Sequence, residues 1–114
     1  MSEAVLHEYM KDSGLKYDRK QRTVTVTFHG DGVAIATIDK GSAQKVSLPY
    51  TTDITTDDYY INATAATPDR EPLKCSAYYQ GKLLFERTAP PDGISQCSVP
   101  GQLLQDIDEG KVIL

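Results

Sequence analysis

The chain has 114 residues, 39% of them apolar, with no tryptophan, seven tyrosines and a formal net charge of −4. That length fits one domain built on a single core, and the acidic balance argues against nucleic acid or an anionic membrane surface as the main partner. No stretch approaches the roughly 18 apolar residues of a membrane span, and the opening Met1-Ser-Glu-Ala-Val-Leu-His-Glu lacks the basic-then-apolar order of a secretory signal.

Residues 1–22 read as an amphipathic helix followed by a basic connector. Ser2 can cap the helix and Glu3 suits its positive end. Val5, Leu6, Tyr9 and Met10 recur at helical spacing and form one apolar stripe, and Gly14 is a natural stop. Lys16, Arg19, Lys20 and Arg22 then outweigh Asp18, the composition of a solvated connector.

From residue 23 the period changes to two. In Thr23-Val-Thr-Val-Thr-Phe28 the residues Val24, Val26 and Phe28 face one way and the threonines the other, the strongest strand signal in the chain. His29-Gly-Asp-Gly32 reads as a turn into a second strand over 33–38, with Ile35 expected inside. Asp39-Lys-Gly-Ser turns again. Val46, Leu48 and Tyr50 mark the next strand, where Pro49 points to a sheet edge or a bulge. Ile54 lies in a short polar run, and Tyr59, Ile61, Ala63 and Ala65 alternate in a further strand. After the loop over 67–72, Leu73, Cys75, Ala77 and Tyr79 line one strand face. Gln80-Gly81 reverses the chain, and Leu83 and Phe85 continue one face of the return strand. A proline-rich turn over 89–93 precedes a last short strand that holds Cys97. Strands at this spacing, with turn signals between them, predict an antiparallel sandwich or barrel over residues 23–99.

Residues 100–114 break the pattern. Pro100-Gly101 ends it, Leu103, Leu104 and Ile107 fall at helical spacing, and Gly110 stops the helix before Val112, Ile113 and Leu114. The two terminal segments carry more apolar stripe than a small β-domain needs, and contiguous exposed apolar surface marks interaction sites. The predicted partner-binding residues are therefore Val5, Leu6, Tyr9 and Met10 at one end, and Leu103, Leu104, Ile107, Val112, Ile113 and Leu114 at the other. The partner is a host protein or a second copy, giving a homodimer. Folding back as lids on the same domain is the alternative.

No catalytic constellation stands out, so a non-enzymatic protein is expected. His29 could pair with a cysteine or an aspartate as base and nucleophile, but no nucleophile elbow or hydrolase cysteine motif accompanies it. The soft metal ligands are Cys75, Cys97, His7 and His29, none in Cys-x-x-Cys spacing. Asp53, Asp57 and Asp58 do not match a helical calcium loop. No metal or other cofactor is expected. Asn62-Ala-Thr64 meets the glycosylation pattern within a predicted strand. Cys75 and Cys97 can be a disulfide, buried free thiols or a redox pair. The compartment decides: cytoplasmic and reduced if Met1 is the native start, extracytoplasmic and oxidised if the chain is a piece of a longer one.

In combination, several of these features resemble the soluble domain of the MmpS family, small mycobacterial membrane proteins that accompany MmpL exporters of lipids and siderophores. A cysteine opens a strand (Cys75), a glycine follows six positions on (Gly81), Glu86-Arg87 closes the return strand, and a second cysteine follows a variable turn (Cys97). Val-Thr-Val-Thr-Phe-His-Gly-Asp-Gly over 24–32 and Ser47-Leu-Pro-Tyr50 are similar to the family's first strand with its glycine-rich turn and to its Leu-Pro-aromatic strand. The resemblance covers residues 22–99. It implies a mainly β chain, a small antiparallel Ig-like β-sandwich, and Cys75 bonded to Cys97 outside the membrane; the short N-terminal and C-terminal helical extensions read from the residues lie outside it. It also implies one of two roles: a soluble relative encoded by a phage or mobile element that binds a host protein, or an extracytoplasmic accessory of an exporter seen without its anchor. A small hydrophobic-ligand binding protein is the third expectation.

Overall fold

Strand β1 (Arg22–Ile38) is 17 residues long, and the rest of the sheet is arranged along it. The computed structural model describes residues 19–69, 71–89 and 94–114. The predicted N-terminal helix, with Val5, Leu6, Tyr9 and Met10, lies outside the described residues, as do His7 and the turn residues 90–93. The other elements are β2 (Gln44–Thr56), β3 (Tyr60–Ala66), β4 (Lys74–Tyr79), β5 (Lys82–Thr88), β6 (Ser95–Pro100) and the helix α1 (Gly101–Asp108). All pairings are antiparallel, and the six strands form one sheet of nearly barrel shape in the order β5-β4-β1-β3-β6, with β2 on the other side of β1.

The predicted turn at His29-Gly-Asp-Gly32 is a bend inside β1. The register against β2 passes from Phe28↔Tyr50 to Gly32↔Leu48, so β1 carries two more residues than its partner there. Gly30 (φ +148°) and Gly32 (φ +85°) adopt conformations that side chains disfavour. The extra pair of residues keeps the alternation in phase. Val24, Val26 and Phe28 are therefore followed inward by Ala34 and Ala36, all fully buried. Ile35, expected inside, is 46% exposed. Its size favours burial, but the register of a continuous strand overrides that preference.

The bend also divides the neighbours of β1. Residues 24–29 pair with β4 and residues 35–38 with β3, while β2 follows both halves. Tyr79-Gln80-Gly81-Lys82 joins β4 to β5 as predicted, with positive φ at both Gln80 and Gly81, the requirement of a tight hairpin. A register shift between Ala77 and Tyr78 then puts both Leu84 and Phe85 in the core and leaves Leu83 exposed, where simple alternation would have placed Leu83 beside Phe85.

Cys75 and Cys97 stand at disulfide distance, Cα atoms 6.1 Å apart, and both are fully buried. Their strands, β4 and β6, share no ladder. The pair links β4, which is laddered to residues 24–29 of β1, to β6, which is laddered to β3. One core contains Val24, Val26, Phe28, Ile61, Cys75, Leu84, Cys97 and Val99.

The C-terminal segment closes this core. Leu103 and Leu104 are fully buried, and Ile107, Val112 and Leu114 pack against the same cluster. These five residues, expected to meet a partner, face the chain's own interior. Ile113 alone of that set is open, at 91% exposure. Gly110 (φ +75°) ends the helix as read from the sequence, with Gly110 N donating to Ile107 O and Lys111 N to Asp106 O.

Candidate functional site

Three side-chain groupings outside the core carry polar or exposed apolar chemistry. The first lies where α1 meets the barrel. Arg22 opens β1 with its side chain buried, and its Nε donates to Asp108 Oδ2 at 2.9 Å. Tyr79, at the end of β4, donates its hydroxyl to Asp108 Oδ1 at 2.7 Å, and Gln80 Nε2 approaches the same oxygen at 3.4 Å. Desolvation pushes the Asp108 carboxyl up, but the hydrogen bonds from Tyr79 and Arg22 outweigh it, and its pKa is held below the ordinary carboxylate value. Burial, then the bond to Asp108, pushes the Tyr79 hydroxyl up to about 12. The neutral phenol is thus a committed donor, and the cluster acts as a clasp on the helix end. The sequence places Arg22 in a solvated connector and gives Asp108 no role. Only the fold brings them together, 86 positions apart.

The second grouping is on the outer sheet face. His29 Nε2 lies 2.8 Å from Ser76 Oγ, a base–hydroxyl pair across β1 and β4 rather than the pairing with cysteine or aspartate weighed from the sequence. Ser76 is fully buried, so no substrate atom reaches its oxygen. Beside it Lys74 Nζ holds Glu86 at 2.9 Å, which lowers the Glu86 pKa. Next along the face, Thr23–Thr55, Thr25–Asp53 and Thr27–Thr51 bond across β1 and β2 at 2.7–2.9 Å. These are cross-strand ties that reinforce the ladders.

The third grouping is apolar. Val33 and Ile35 point outward from the second half of β1, and Ile94 precedes β6 at 53% exposure. Ile35 and Ile94, with Thr37, Thr64, Ala66 and Pro68, line an open groove of about 410 Å³. Sequence reading missed it because it assigned Ile35 to the core.

The aspartates weighed as a calcium cluster are otherwise engaged. Asp53 accepts from Thr25, while Asp58 pairs with Lys40 at 3.1 Å and with Arg19 at 3.2 Å, and Lys40 chiefly lowers its pKa. Among the described residues no group of three or more His, Cys, Asp or Glu is arranged to hold a metal ion. No helix among them is long and apolar enough to cross a membrane. Asn62 of the glycosylation pattern sits within β3, paired with Ser98 of β6. No family model matches the chain, and no curated protein matches it.

Proposed function

We propose that the chain is a non-enzymatic protein-interaction domain, an Ig-like β-sandwich of the MmpS type in which the bent β1 and its partner β2 serve both sheets. The observation that supports this reading most is the exposed pair Ile35 and Ile94 lining one groove, with Val33 also exposed two residues before Ile35 on β1. Each of these side chains gains roughly 25 cal/mol per Å² of apolar surface when a partner covers it, and exposed apolar patches mark contact surfaces. Val5, Leu6, Tyr9 and Met10, an apolar stripe in the sequence, are proposed as further partner-binding residues, and Ile113 is the part of the C-terminal set still open to a partner.

A photo-crosslinking residue at position 94, read by mass in producing cells, tests the proposal directly. A discrete cross-linked protein, lost when Ile35→Lys is added, is the expected result. Sedimentation of the purified chain distinguishes a second copy from a host protein. If the cross-link is absent, or if Ile35→Lys leaves it unchanged in a folded protein, the strip is not the contact surface.

A second reading, an extracytoplasmic accessory of a lipid or siderophore exporter, is favoured by the Cys75–Cys97 pair, because disulfides form and persist in oxidising compartments. Thiol alkylation of cells lysed directly into denaturant discriminates, since both cysteines are buried in the fold. Unmodified cysteines favour the extracytoplasmic reading, and two alkylated cysteines remove it.

A further inference from the structure

Strand β2 lies at the margin of the sheet. One side is laddered to β1, and among the described residues no strand pairs with the other. The hairpin fixes which residues face that open side. The tight turn closes on Tyr79 and Lys82, and Ala89 N donates to Leu73 O, so the odd-numbered residues of β4 turn their backbone groups to β5. Ser76 and Tyr78 then turn theirs to Thr27 and Thr25 of β1, which leaves Val24, Val26 and Phe28 facing Ile54, Thr52 and Tyr50 of β2. Thr51, Asp53 and Thr55 therefore present N–H and C=O outward from the edge. Pro49 falls on the same side and presents only its C=O.

Within the proline-free run 50–56 the edge is complementary to itself in one antiparallel register. Pairing about Asp53 would oppose two carboxylates, which repel. Pairing about Ile54 would run past Thr56, the end of β2. Pairing about Thr52 has neither fault. It sets Thr51 against Asp53 of the second copy, each exchanging N–H and C=O with the other, and lets the Thr55 N–H reach the C=O of Pro49. Asp53 Oδ1 already accepts from Thr25 at 2.7 Å. A carboxylate has a second oxygen, so Oδ2 suits the Thr51 hydroxyl of the second copy. On the inward side half-buried Tyr50 meets Ile54 and Thr52 meets its own counterpart, aromatic–β-branched and Thr–Thr pairs that stabilise a ladder.

We propose that β2 is a self-association edge, where a second copy of this chain pairs antiparallel about Thr52 and the two sheets become one across a two-fold axis. The contact is isologous, so the donor at Thr51 and the acceptor at Asp53 are each used by both copies. Each copy's edge is consumed by the other, so pairing closes at two. Ile35 lies against Lys45, beyond the paired run, so the apolar groove stays open to another partner.

The test is sedimentation equilibrium of the full chain at concentrations from about 10 μM to about 1 mM, because a strand-edge contact is smaller than the roughly 800 Å² per partner of a standard interface and associates weakly. Physiological ionic strength screens the net charge of the chain. A monomer–dimer equilibrium is the expected result. Thr51→Pro removes one outward N–H and leaves the ladder to β1 intact, and Thr51→Asp sets a carboxylate opposite Asp53 of the second copy. Both should weaken the dimer by at least about tenfold, while Ile35→Lys leaves it unchanged. A chain that stays monomeric throughout overturns the proposal, as does a dimer that either folded variant retains or that Ile35→Lys dissolves. Thr51→Asp keeps every backbone donor of the strand and carries the test if Thr51→Pro does not fold.

Discussion

Replacing both cysteines by alanine tests the largest single contribution we assign to any one tie. The bridge closes a separation of 22 positions, for which the chain-entropy relation gives about 3 kcal/mol of constraint on the denatured state. Both sulfurs are fully buried, so Cys75→Ala/Cys97→Ala also loses core contacts, at about 1 kcal/mol or more. A total loss of about 3–5 kcal/mol is a large share of the roughly 5–15 kcal/mol that a domain has in all. At about 4–8 °C per kcal/mol the melting temperature should fall by on the order of 12–40 °C. Urea unfolding followed by far-ultraviolet circular dichroism and by tyrosine fluorescence measures it, since the chain has seven tyrosines and no tryptophan. The slope of stability against urea should rise in the variant, because the denatured chain expands when the cross-link is gone. A loss below about 1 kcal/mol with an unchanged slope would refute the reasoning. It would mean that β4 and β6 are held together without the bridge and that the denatured state is already compact.

Tyr79 should titrate at about 12 by tyrosinate absorbance, and Tyr79→Phe should remove that step. A raised folded pKa means stability fully present below the ordinary 10.0 and lost as pH rises toward 12. Tyr79→Phe should therefore flatten an alkaline loss of about 2–3 kcal/mol. Register on β1 is checked by a pair of substitutions. Ala36→Ile forces extra bulk into the core and should cost about 1–3 kcal/mol, whereas Ile35→Ala should cost under about 0.5 kcal/mol, and the reverse order would restore the turn reading of residues 29–32. Gly30→Ala strains a positive φ and brings a Cβ to 3.0 Å from Leu73 Cδ2, so it should lower stability by about 1 kcal/mol or more in thermal melts. Gly32→Ala meets no atom within 4 Å and should show the backbone cost alone.

Local alternation was legible wherever one strand face is apolar. Val24, Val26 and Phe28, or Ile61, Ala63 and Ala65, specify their own inward faces. Continuity between such runs was not. Two glycines within four residues are the ordinary mark of a turn, and nothing in a single sequence distinguishes a reversal from a bend that keeps the strand going. The difference lies in pairing partners far along the chain: β2 runs beside both halves of β1, and that long-range fact puts Ala34 and Ala36 inside in place of Ile35. The bulge at Leu84 escaped notice for the same reason, since its cause is the register against Ala77 and Tyr78 rather than any residue type in β5.

The C-terminal stripe shows a different limit. Helical spacing of Leu103, Leu104 and Ile107 shows that one face needs cover, but periodicity carries no information on which surface supplies it. The composition of the strands does bear on the question. Ala34, Ala36, Ala63, Ala65 and Ala77 all point into the barrel and are fully or almost fully buried. Small side chains on three strands leave volume that close packing requires other groups to fill. Leucines from a helix that follows β6 without a loop are near at hand, and Leu103 and Leu104 are both in the core. Arg22, Tyr79 and Gln80 then fix the helix end through Asp108, a contact between a nominal connector, a strand end and a polar helix face. None of those residues looks functional alone. Their meaning comes from the topology that sets the start of β1 beside the end of α1.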